Sequence, residues 1–131
     1  MKITIKIFVL LFALFIYACD ECGECFTPPD FFVFEIVDKT TGENLFLNGT
    51  FDSGELKVIN LLDNSDVDFN FISETNIALI EVYTIGWQTE KVNYAIRIGN
   101  NTLFYLYVDA RRIDEHCCSF TRYNEIKIED V

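Results

Sequence analysis

From residue 31 onward the chain reads mostly in a period of two. Val67-Asp68-Phe69-Asn70-Phe71 alternates apolar and polar residues. Ile77 to Thr84 places Ala78, Ile80 and Val82 on one face. Val92, Tyr94, Ile96 and Ile98 alternate with Asn93, Ala95 and Arg97, and Phe104, Leu106 and Val108 with Tyr105, Tyr107 and Asp109. Near the end, Ile126 and Ile128 face inward and Lys127 and Glu129 outward. Such alternation belongs to strands with one buried face, paired antiparallel. Phe31–Val37, Asn44–Leu47 and Leu56–Leu62 add shorter apolar runs. Turns fall at Asp38–Gly42, Asn48-Gly49, Asp63–Asp66, Gly86-Trp87 and Gly99–Asn101, where glycine and short polar side chains permit tight reversals. Ala110–Glu115 alone reads as a helical turn. The pattern predicts an all-β fold: an antiparallel β-sandwich of immunoglobulin-like size with about 7–8 strands. A small β-barrel is the alternative.

The start of the chain follows a different rule. Lys2 and Lys6 precede an apolar run from Ile7 to Ile16, and Ala18-Cys19 ends it against Asp20 and Glu21. A basic start, a short apolar middle and a small residue before the cut describe a secretory signal. The run is short of the roughly 20 residues a spanning helix needs. Ile16-Tyr17-Ala18-Cys19 resembles a bacterial lipobox. That resemblance implies cleavage after residue 18, a diacylglycerol thioether on Cys19, and an N-acyl chain such as palmitate. Residues 1–18 are thus a signal peptide and 19–29 a Cys-rich tether ending at Pro28-Pro29. Residues 30–131 form a single domain.

Asp20, Glu21 and Glu24 crowd the tether. An acidic tag there resembles the export signal of surface lipoproteins in the Bacteroidota. The run Phe34-Glu35-Ile36-Val37-Asp38-Lys39-Thr40-Thr41-Gly42-Glu43-Asn44-Leu45-Phe46 and the Cys117-Cys118 pair also resemble small lipoproteins of that group. The resemblance implies an outer-membrane address at the cell surface, with the periplasmic face as the alternative. It implies no particular activity.

Charge narrows the partners. Ten Lys and Arg stand against 21 Asp and Glu; losing residues 1–18 removes two lysines and leaves eight against 21, a formal −13. Such a surface repels nucleic-acid phosphates, so the partners expected are the membrane, through Cys19, and a protein, peptide or glycan ligand.

Five cysteines in an exported chain read as one lipid acceptor and four that pair. Bonding Cys117 to Cys118 would strain the backbone, so Cys22 and Cys25 are each expected to bridge to one of Cys117 and Cys118. A zinc site from Cys22, Cys25, His116 and Cys117 is the alternative. A redox Cys22-x-x-Cys25 motif would lack the helix N-terminus and βαβ unit that activate it. No Gly-x-Ser-x-Gly elbow accompanies the single histidine, and acid pairs such as Asp66 and Asp68, or Asp114 and Glu115, arise by chance among so many acids. Asp63–Glu74 departs from a calcium loop, with Val67 where a ligand belongs and Asp68 where glycine is needed. No catalytic set and no cofactor is therefore expected. Trp87, Tyr105 and Tyr107 are the candidate binding surface.

Overall fold

A computed structural model describes Gly23 and residues 25–131. Residues 1–18, expected to be a signal peptide, lie outside the described residues, as do Cys19 and Cys22. Among the described residues nine strands follow in order: β1 Cys25–Phe26, β2 Phe32–Phe34, β3 Leu56–Asn60, β4 Ser65–Asp66, β5 Asn70–Glu74, β6 Ile77–Val82, β7 Glu90–Ile98, β8 Asn101–Glu115 and β9 Cys118–Asp130. They form two sheets that do not close into a barrel, one of six strands in the order β1-β9-β8-β7-β3-β4 and one of three in the order β2-β6-β5. The all-β, two-sheet prediction holds.

The core forms where the alternating faces meet. Val58, Ile96, Leu106 and Val108 from the large sheet lie against Ile80 and Val82 from the small one, all at 0–1% exposure. Across the small sheet Phe34, Ile80 and Phe71 share one row, and the Phe34 ring packs on Phe104 at 5.1 Å. Phe46 closes one end against Phe71 at 5.0 Å. Its loop is pinned by Asn44, whose Nδ2 donates to the Ala78 carbonyl at 2.9 Å.

Several sequence expectations are corrected. Ala110–Glu115 is not helical but continues β8, paired throughout with β9. Phe31–Val37 contributes only the three residues of β2. Asn44–Leu47 makes a single bridge, Val37 to Asn44, and then turns. Ile126 and Ile128 do sit opposite Val108 and Leu106, yet they are 51% and 56% exposed. The reason is width: three strands cannot cover six, and β9 lies beyond the cover. Finally, Cys25 and Phe26, assigned to the tether, form a strand of the large sheet that runs parallel to β9. Pro29 behind them is buried.

Candidate functional site

The two ends of the β8–β9 hairpin carry different chemistry. At its tip, Cys25 stands beside Cys118 with their Cα atoms 4.4 Å apart, and the two form a disulfide. The tip turns through His116 and Cys117, with His116 at φ 57°. That left-handed residue supplies the kink that two adjacent cysteines need to serve different partners. Cys117 is itself disulfide-bonded. Within the chain that leaves Cys19 or Cys22 for it, and the expected Cys22 bridge lies outside the described residues. The Cys25–Cys118 bond dismantles the zinc alternative: Cys25 and Cys117 are oxidised, and an oxidised sulfur does not ligate zinc as thiolate does. Among the described residues no group of three or more His, Cys, Asp or Glu converges on a metal position.

Around this bond lies a polar and aromatic cluster. Arg112 Nη1 donates to the Thr27 carbonyl and to Thr121 Oγ1, both at 2.8 Å. Thr121 Oγ1 in turn donates to the Gly86 carbonyl at 2.7 Å. The guanidinium lies 4.8 Å from the Phe26 ring centre, a favourable cation–π distance. Phe26 then stacks on Trp87 at 6.4 Å and 26°. The indole N–H donates to the Tyr83 carbonyl at 2.9 Å, which fixes the ring. Both rings nonetheless remain open to solvent, Phe26 at 60% and Trp87 at 50%.

Tyr105 and Tyr107 are elsewhere. They alternate with the buried Leu106 and Val108 and so face away from the core. There they line a shallow groove of about 250 Å³ with Asn93, Glu125, Lys127 and Glu129. Lys127 pairs with Glu125 at 3.0 Å, and Glu125 beside it raises the Lys127 pKa. Trp87 stacks instead on Phe26, whose ring lies against Arg112 in the row that continues Val108 and Ala110. The three aromatic candidates therefore do not form one platform.

The far end of the hairpin holds a second surface. An apolar cleft of about 400 Å³ opens beside Phe34, Ile36, Leu103, Phe104 and Ile128. Its charged lining is Glu35 and Asp130. It exists because β9 outruns the small sheet.

The remaining candidates are structural. Asp63 Oδ1 accepts from the Ser65 N–H at 3.0 Å and from its hydroxyl at 2.6 Å, and these bonds, the hydroxyl first, hold the carboxyl below its ordinary pKa. Its loop is a polar turn rather than a cation loop. His116 is exposed in its turn.

Sequence reasoning missed Phe26, Arg112 and Thr121. One signal was available for Phe26: once Cys25 bridges to the tip, its neighbour must lie beside the hairpin. Arg112 and Thr121 had none, since only the β8–β9 register brings them together. Compared with known proteins, the chain matches no family model, no curated protein and no solved structure.

Proposed function

We propose that the chain is a lipid-anchored envelope lipoprotein whose β-sandwich is a non-enzymatic binding module. The observation that carries this reading is the Cys25–Cys118 disulfide. Such bonds persist in oxidising, extracytoplasmic compartments. This one staples the chain to the domain six residues past Cys19, the residue that the lipobox resemblance marks for acylation.

The arrangement suits presentation of a ligand site. From the hairpin tip to the Phe104–Asp130 pair, β8 spans roughly 35 Å at 3.3 Å per residue. The apolar cleft thus stands well away from the anchored end, open to a protein or peptide partner. The acidic tether and the resemblance to Bacteroidota lipoproteins favour the outer membrane and its surface.

Two experiments test the reading. Blocking the lipoprotein signal peptidase with globomycin should leave an uncut precursor, and radiolabelled palmitate should enter the wild type but not Cys19→Ala. A Cys19→Ala form that is cut normally and still sediments with membranes would sink the proposal. Non-reducing peptide mapping is independent of this. It should find Cys117 linked to Cys22. A Cys117–Cys19 link would remove the acceptor sulfur and exclude lipidation.

A further inference from the structure

The exposed aromatic pair at the bridged end has no role in the core. Phe26 and Trp87 are each at least half exposed, touch each other, and are held in place by Arg112 and by the Tyr83 carbonyl. Ordering two large apolar rings in water is unfavourable unless something covers them. Their position identifies the cover. Phe26 follows Cys25, which lies six positions after Cys19. At no more than about 3.6 Å per residue, the rings stay within roughly 25 Å of an acylated Cys19.

Charge gives a second, independent indication. Arg111 and Arg122 are direct cross-strand partners and both are exposed. Like charges placed opposite each other are unfavourable, and among the described residues neither arginine forms an ion pair. With Arg112 they are three of the eight cations left after residue 18, in a chain carrying 21 acids. Asp114 and Glu115 at the tip offset the attraction, so the aromatic rings, not net charge, dominate.

Resting on the lipid-anchor reading, we propose that this end of the large sheet, with Phe26 and Trp87 on one face and Arg111 and Arg122 on the other, docks end-on onto the phospholipid headgroup layer of the anchoring membrane. Trp sits favourably at that depth, its ring in the apolar boundary and its N–H on a polar partner. Arg guanidinium groups pair with lipid phosphates. The anchor then fixes the orientation of the domain as well as its location.

Trp87 is the single tryptophan in the chain and reports directly. The full lipidated chain is reconstituted into vesicles of phosphatidylethanolamine and phosphatidylglycerol, and flotation reads anchoring separately. Trp87 emission should shift to the blue. It should be quenched strongly by lipids brominated near the headgroup and weakly by lipids brominated near the chain end. Phe26→Ser, and Arg111→Glu combined with Arg122→Glu, should each cut that quenching at least about twofold while the chain still floats and its Tm holds. A floating chain whose Trp87 stays open to acrylamide and unquenched by brominated lipid overturns the patch alone. A blue shift without lipid quenching, meaning cover by a glycan or a second copy, overturns it too. A chain that does not float has lost the anchor, and the patch falls with it.

Discussion

Gly86 shows how one position ties the bridged end together. Its φ is 95°, and a Cβ there would lie 2.9 Å from Thr121 Cγ2 and 3.2 Å from Pro29 Cβ. Its N–H donates to Glu90 Oε1 at 3.1 Å. Gly86→Ala therefore meets both backbone strain and a clash, and should lower stability by about 2–3 kcal/mol in urea unfolding. A break at Gly86-Trp87 was legible in the sequence; the close approach of Thr121 and Pro29 was not, because both contacts are remote in the chain. Tyr94 gives a second test. Burial pushes its phenol above the ordinary 10.0, and burial does the same to Tyr123. The unfolded chain therefore loses these protons first as pH rises. The stability they contribute is intact below pH 10 and lost as pH climbs through the higher folded values. Urea midpoints should fall as pH rises above about 10, and Tyr94→Phe should flatten that fall.

At the level of elements, β9 explains most of what the pattern left out. Asp109 pairs with Glu125 but Ala110 with Tyr123, so Asn124 is an extra residue, a bulge. Before it the odd positions Thr121 and Tyr123 face inward; after it the even positions Ile126 and Ile128 do. A bulge that swaps faces hides a long strand from any test of simple alternation. For the same reason the reading found only the last part of β9. Ala110–Glu115 was misread because Ala, Arg and Glu favour helices in isolation, whereas the register with β9 decides the outcome here. Burial was equally illegible, since face and cover are separate properties. Ile96 and Ile126 share a face but not a cover, at 0% and 51% exposure. Ile96→Ala should cost about 2–5 kcal/mol and Ile126→Ala below about 1 kcal/mol, read from denaturant midpoints at constant m.

Across the whole molecule, the two-sheet architecture was legible because Ala78–Val82, Val92–Ile98 and Phe104–Val108, in the central strands β6, β7 and β8, alternate. The pairing of Cys25 with Cys118 could be narrowed by excluding strained alternatives, but the parallel strand β1 that it creates could not. The bond closes a separation of 93 residues. Since Cys117 keeps a bond of its own, Cys25→Ser with Cys118→Ser should lower stability by about 2 kcal/mol, the low end for a disulfide, measured by thermal unfolding of the oxidised protein. Together with the bond of Cys117, the Cys25–Cys118 bond also decides how the domain answers a mechanical pull. Tension on the chain ahead of Cys25 would otherwise peel β1, a two-residue pairing, and then β2, both weak zippers at sheet margins. With the bond in place, force bypasses them and enters the tip of the β8–β9 hairpin, the longest ladder among the described residues. In an optical trap, the oxidised domain should yield in one step at a higher force, and the reduced one should unravel from residue 25 inward.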